Sequence, residues 1–250
     1  MCEDCGCGDL AIVPLDVHER VLADNDARAA HLRAHFAEAG VLAINLMGSP
    51  GAGKTAVLEQ TARALGGARR LGAVSGDLAT DRDARRLEAA GITARAITTG
   101  SACHLDARMV HDALHELPWR ALDLFFIENV GNLVCPAIYD LGQSARVVAL
   151  SVTEGEDKPL KYPVMFHRAD LVLLTKIDLL PHLDVDLAAI RDGLSRVMPE
   201  PRMIGVSGRT GEGIAEWIAW LDARRADLPR QAAPHLGDHA SGHAHGHDRR

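Results

Sequence analysis

The sequence predicts an α/β, P-loop NTPase fold: a mostly parallel sheet with helices on both faces, an amino-terminal helix and disordered termini. Three observations carry that reading. Short apolar runs recur between residues 41 and 206, with helix-forming segments separating them. One of them, Leu122–Ile127 (LDLFFI), ends in four consecutive apolar residues, the pattern of a strand buried on both faces. The first run leads into Gly48-Ser49-Pro50-Gly51-Ala52-Gly53-Lys54-Thr55, which matches G-x-x-x-x-G-K-[ST] in the strand-then-helix setting the motif requires.

Taken in order, residues 1–15 read as a cysteine-rich tail. Cys2, Cys5 and Cys7 fall within six residues, and Gly6 allows a tight reversal between the last two. Three thiols so spaced can wrap one metal ion, and a polar terminus has no core in which to bury them. From Asp16 to Glu38, Val17, Val21, Leu22, Leu32 and Phe36 recur at near-helical spacing, predicting a helix that leads into the nucleotide domain. His31 and His35 lie one turn apart and could share a metal, although a solvated or partly buried helix face accounts for them more simply. Val41–Leu46 is the first strand, and the helix after the glycine-rich loop runs to Leu65, before Gly66.

Strands follow at Leu71–Ser75, Ala94–Thr98, Leu122–Ile127, Val147–Val152, Leu171–Leu174 and Met203–Val206. Helices are expected at Asp81–Ala90, Asp106–Leu117, Asp184–Val197 and Ile214–Arg225, so one GTPase domain spans residues 16–226. In such a sheet, ligands sit at the carboxyl ends of the strands. Residues 227–250 are rich in Pro, Gly, Ala and His, ending in His239, His243, His245 and His247; such a tract buries no core and suits weak metal storage.

Composition narrows the function classes. The net charge is −7 with no Lys/Arg block, which argues against a nucleic-acid partner. The acidic first residues lack the apolar segment of a signal peptide, and no run approaches the ~20 apolar residues of a membrane span. A cytoplasmic location is expected, where the five cysteines stay reduced and serve as metal ligands or reactive thiols.

The chemistry clusters just after the strands. Glycines 48, 51 and 53 let backbone N–H groups face phosphate oxygens, and the next helix points its positive end at the same anion. The nucleotide-contacting set is Gly48 through Ala56, with Lys54 reaching the β- and γ-phosphates and the Thr55 hydroxyl on Mg²⁺. Asp77 and Glu128 follow two strands and are suited to hold Mg²⁺ or to position water, with the Gly131 N–H facing the γ-phosphate. Thr175-Lys176-Ile177-Asp178 follows another strand. A carboxylate at 178 accepts guanine N1–H and the exocyclic amine, Lys176 lays its stem on the base, and Ser207-Gly208 offers a backbone N–H to the guanine oxygen, so GTP is favoured over ATP. The usual guanine motif begins with Asn, and Thr175 is expected to weaken the bonding that steadies this loop. Cys103, His104 and Cys135 lie on the loops that should sense the γ-phosphate and form a soft sulfur/nitrogen set for Zn²⁺ or Ni²⁺ that a two-fold dimer could share. The alternative is two buried cysteines and a helix-capping histidine.

Together, GSPGAGKT, GDLATDRDA, TTGSACHLD, FFIENVGNLVCPA, VTEGEDKPLKYP, LVLLTKIDLLP and the amino-terminal CxxCGC resemble the HypB family of SIMIBI-class P-loop GTPases. That resemblance covers about residues 41–221 and the first seven. It implies GTP hydrolysis coupled to Ni²⁺ delivery during [NiFe] hydrogenase maturation, slow when unassisted because no segment announces an arginine finger in cis, and a homodimer with an interfacial metal site at Cys103, His104 and Cys135. It also implies a tighter nickel site at Cys2, Cys5 and Cys7, and three partners: a HypA-like nickel chaperone, a SlyD-like nickel donor and the hydrogenase large subunit. Three rival readings are a UreG-like urease nickel GTPase, a P-loop small-molecule kinase and a nickel store with a vestigial nucleotide site. UreG-like chains typically carry Cys-Pro-His, whereas Cys-Pro at 135–136 has no adjacent histidine here.

Overall fold

Every apolar run becomes a strand, and the strands pair in parallel. The computed structural model describes residues 15–77, 80–100 and 102–228. The expectations for Cys2, Cys5, Cys7 and the histidine tract fall outside these residues. The strands are β1 (Leu42–Gly48), β2 (Leu71–Asp77), β3 (Thr93–Thr98), β4 (Leu124–Glu128), β5 (Ala145–Ser151), β6 (Leu171–Thr175) and β7 (Met203–Val206). Among the described residues they form one sheet in the order β3-β2-β4-β1-β5-β6-β7. The helices are α1 (Leu15–Ala39), α2 (Lys54–Leu65), α3 (Arg82–Ala89), α4 (Ala107–Leu114), α5 (Lys158–Lys161), α6 (Pro163–His167), α7 (Leu187–Val197) and α8 (Ile214–Ala226).

Period-two alternation sorts the central strands between two cores. Leu42, Ile44 and Leu46 of β1 and Phe126 of β4 join Val57 and Leu58 of α2 and Trp217 of α8. Ala43 and Phe125 face the other way, into a core with Leu32 and Phe36 of α1 and Val110 and Leu114 of α4. Because helices cover both faces, every residue of β1 and β4 is buried, which is why these strands are written without polar alternation.

The ladders run slightly beyond the expected strands. Asp77 pairs with Thr98, Glu128 with Ser75, and Thr175 with Ser151. Each residue expected just past a strand is therefore that strand's last residue, held by the sheet itself. Helix α4 is shorter than the expected Asp106–Leu117. Asp106 is its N-cap, accepting a hydrogen bond from Met109 N at 2.7 Å. The stretch 158–167 was not anticipated as helical; Pro159 and Pro163 each sit in the first turn of a short helix, where a missing N–H costs nothing.

Helix α1 is fastened to the far side of the sheet by Asn25, which is 5 % exposed. Its Nδ2 donates to Asp140 O at 2.9 Å, and its Oδ1 accepts from Ala107 N at 2.9 Å, at the start of α4. Asn25→Ala leaves a buried N–H and a carbonyl without these partners. It is expected to cost about 1–3 kcal/mol, read as a lower urea midpoint with an unchanged slope.

Candidate functional site

The loop between β1 and α2 needs its glycines. Gly51 (φ 72°) and Gly53 (φ 89°) adopt left-handed backbone, and a Cβ on Gly48 would stand 2.5 Å from the Ala149 carbonyl oxygen. Lys54 opens α2 and is 7 % exposed; its Nζ arches over the loop, donating to Gly48 O at 3.2 Å and Ser49 O at 3.3 Å. Burial lowers its pKa. Beside it lies a cavity of about 490 Å³ walled by Pro50, Lys54, Thr55, Asp77, Glu128 and Gly131, and by Asp83 and Arg86 of α3.

Glu128 is the electrostatic centre of this cavity. It is 3 % exposed; its Oε1 accepts from the Thr55 hydroxyl at 2.7 Å, while its buried Oε2 has no hydrogen-bond partner. Burial pushes its carboxyl up to about 7, against the pull of the nearby Lys54 ammonium. A buried carboxylate with an unsatisfied oxygen beside a threonine hydroxyl is a donor set that fits a hard divalent cation. Asp77 completes the wall: its Oδ1 accepts from Thr80 N at 2.9 Å, and its carbonyl accepts from Thr99 N at 3.0 Å.

From the ends of β4 and β3, two loops run to Cys135 and Cys103. The first, after β4, lies against the phosphate loop. A Cβ on Gly131 would come 2.9 Å from Pro50 N, and Asn132 forms a bridge with Gly48, three residues before Cys135. The second, after β3, passes through Thr99 and brings Leu105 under Gly76, where a Cβ would meet the leucine side chain at 2.9 Å. Asn129 ties the two loops together. Its backbone N donates to Leu46 O at 2.9 Å, its Nδ2 donates to Asn45 Oδ1 at 3.3 Å, and its Oδ1 accepts from Leu105 N at 3.3 Å.

The loops deliver Cys103, His104 and Cys135 to one place, their ligand atoms all within 4.8 Å of one another. The sulfurs stand 2.9 Å apart without a disulfide, and Cys103 Sγ is 3.9 Å from His104 Nδ1. The His104 ring stacks on Tyr139, with centroids 3.8 Å apart and planes at 19°. That contact fixes the ring's plane, and nothing in the spacing of the sequence pointed to Tyr139.

At the other end of the cavity, the Thr175 hydroxyl donates to Ala52 O at 2.6 Å. Threonine thus bonds the phosphate loop directly, because β6 runs up against it. Lys176 takes a left-handed φ of 60°, unique among the described non-glycine residues. Ser207 Oγ donates to Asp178 Oδ1 at 2.6 Å and accepts from Arg209 N and Thr210 N. The Ser207 N–H is taken by Glu212 O, so Gly208 is left as the backbone donor of the expected pair. Gly208 lies tight on α2, where a Cβ would stand 3.0 Å from the Ala56 carbonyl.

The CobW/HypB/UreG nucleotide-binding domain family matches residues 42–204. The hydrogenase maturation factor HypB of Azotobacter vinelandii is 50% identical over 226 residues, 90% of this chain and 75% of that protein. This chain belongs to the HypB family. The crystal structure of HypB from Helicobacter pylori in complex with nickel aligns with a TM-score of 0.78 at 36% identity, covering 84% of this chain and 99% of that one. HypB from Archaeoglobus fulgidus aligns at 0.75 and 39% identity, covering 82% of this chain and 100% of that one.

Within this HypB-family site, sequence reasoning missed three residues: Asn129, Tyr139 and Arg86. Arg86 lines the cavity although no segment announced an arginine there. Its Nε and Nη2 donate to the two oxygens of Glu59 at 3.0 Å each. The raised Glu128 carboxyl has a consequence for stability. A folded-state pKa of about 7, above the usual 4.5, adds stability that is full below pH 4.5 and lost as pH rises towards 7. In nucleotide-free, chelator-treated protein, Glu128→Gln is expected to abolish this loss, on the order of 3 kcal/mol. Denaturant midpoints of both proteins at pH 5 and pH 8 measure it.

Proposed function

We propose that this chain is a GTP-hydrolysing nickel metallochaperone of hydrogenase maturation, whose grip on Ni²⁺ depends on the bound nucleotide. One observation carries the reading: Asn129, next to the carboxylate of the phosphate cavity, also bonds the loop that holds Cys103 and His104. A γ-phosphate drawn into the cavity pulls on the Gly131 turn, which runs on to Cys135, and on Asp77, whose carbonyl bonds Thr99 N on the loop that runs on to Cys103. Loss of that phosphate lets both turns relax and loosens the metal site. Coupling of ~2–3 kcal/mol, ordinary for linked sites, changes metal affinity about thirty- to over a hundredfold.

Lys54 binds the β- and γ-phosphates, and Gly48 through Ala56 cradle them. Thr55, Asp77 and Glu128 would hold Mg²⁺, which neutralises phosphate charge when bound. Asp178, steadied by Ser207, accepts the two guanine N–H groups, Lys176 flanks the base, and the Gly208 N–H meets the guanine oxygen. Unassisted turnover is slow, since the cavity-lining Arg86 has its guanidinium engaged by Glu59. The soft donor set suits Ni²⁺ as cargo and admits Zn²⁺. A two-fold homodimer across Cys135 is favoured by the exposed Val134 (56 %) and Ile138 (36 %) that flank it. A HypA-like chaperone, a SlyD-like donor and the hydrogenase large subunit are the proposed partners, in the cytoplasm. Among the described residues no helix is long and apolar enough to cross a membrane.

Two measurements test this. Nickel affinity at Cys103, His104 and Cys135 is expected to differ by at least tenfold between a GTP analogue and GDP; equal affinities would sink the gating. Asp178→Asn removes a charged acceptor and is expected to weaken GTP binding about 10- to 100-fold, with little change for ATP.

A further inference from the structure

Away from the nucleotide, α1 and α4 pack side by side, sharing a core through Leu32, Phe36, Val110 and Leu114. Each helix brings a pair of histidines one turn apart: His31 and His35 on α1, and His111 on α4 with His115 at its C-cap. From the sequence alone, the first pair reads as a solvated face. The fold brings the second pair against it. Ring centroids lie 4.1 Å apart for His31 and His35, 6.2 Å for His31 and His111, and 4.8 Å for His111 and His115.

We propose that His31, His35 and His111 form a second metal site, with His115 at its edge, for a borderline divalent cation of the Ni²⁺, Zn²⁺ or Cu²⁺ class. Rings sharing one ion at ~2.0–2.1 Å per metal–nitrogen bond stand roughly 4.5–6.5 Å apart between centroids; His31 and His111 at 6.2 Å lie in that range, and His31 and His35 at 4.1 Å would open slightly to share an ion. Imidazole is the ligand these cations share, and a three-nitrogen site without thiolate leaves positions for water or a further ligand. Two neighbours favour ligation over a plain solvated face. Asp112 Oδ1 stands 3.6 Å from His111 Nδ1, beyond hydrogen-bond reach but near enough to add negative charge beside a bound cation. Trp119 stacks alongside His35, with centroids 6.0 Å apart and planes at 20°, which restricts that ring. The exposed His31 and half-buried His35 and His111 give an ion direct access from solvent.

This site is separate from the Cys103, His104 and Cys135 cluster, yet both adjoin one helix, because α4 begins three residues after His104. An ion here bridges α1 and α4. It is positioned to hold cargo outside the nucleotide-linked site.

The test uses full-length, reduced protein titrated with Ni²⁺. Stoichiometry is read by calorimetry, and the three tryptophan indole N–H signals by NMR. In the wild type, paramagnetic Ni²⁺ is expected to broaden the Trp119 signal. His31→Ala/His111→Ala is expected to lose one Ni²⁺ equivalent, or to weaken it at least tenfold, and to keep the Trp119 signal sharp. The His31→Gln/His111→Gln protein repeats the measurement with side chains of similar size and checks that the fold is intact. An unchanged stoichiometry in both variants, or an unbroadened Trp119 in saturated wild type, would overturn the proposal. Cys103→Ala, run in parallel, removes a different equivalent and leaves the Trp119 response intact, so failure of one site is distinguishable from failure of the other.

Discussion

The arrangement turns on one buried amide. Asn129 is 1 % exposed and sits where β4 ends, so it must satisfy its polar atoms within the protein. It does so by reaching in three directions: to Leu46 on the strand that feeds the phosphate loop, to Asn45 beside it, and to Leu105 on the loop after β3. Replacing this group with an apolar one would strand the Leu105 N–H and cut the link between the two ligand-bearing loops. The sheet register brings these ends together: Leu46 pairs with Glu128, and Glu128 pairs with Ser75 on the other side. The β1–β4–β2 order therefore places a lysine, a threonine and two carboxylates at one rim before any side chain is chosen.

That rim stores electrostatic cost. A carboxylate buried with one oxygen unsatisfied is unfavourable in isolation, and its raised pKa expresses that cost. Lys54 carries the opposite penalty, its ammonium buried and bonded only to carbonyls of its own loop. An anion at Lys54 and a cation at Glu128 would relieve both at once. The cradle is thus tuned against itself, and part of any phosphate-binding energy would go into removing that mismatch. The strain at Lys176 follows the same logic at the base end, where a left-handed residue persists because Thr175 and Asp178 are pinned on either side.

Much of this was legible in the sequence. The phosphate loop, all seven strands and the approximate helices follow from local spacing, because strand burial and glycine chemistry leave local marks. Cys103, His104 and Cys135 were legible as a set only because each falls after a strand whose end could be placed. What stayed hidden depends on contacts across the fold. Tyr139 lies 35 residues from His104 with no motif to join them. The Thr175 bond to Ala52 spans 123 residues, and it exists because β6 abuts the loop, a distance that residue type alone misjudges. His31 and His35 of α1 read as an ordinary helix face until α4 is laid against them.

Linkage adds a constraint on how such a device works. If nucleotide changes metal affinity through the Asn129 contact, bound metal must change nucleotide affinity by the same factor. A chain loaded with nickel then holds GTP more tightly, and one that has lost its nickel releases it more readily. At equilibrium this coupling delivers nothing, since the cycle can run in either direction. Direction would come only from hydrolysis, which would remove the γ-phosphate from the cavity that Gly131 and Asp77 line. Slow hydrolysis is then an asset: the loaded state must outlive the search for a recipient. The Arg86 guanidinium, held on Glu59 at 3.0 Å, would have to leave that carboxylate before it could assist hydrolysis.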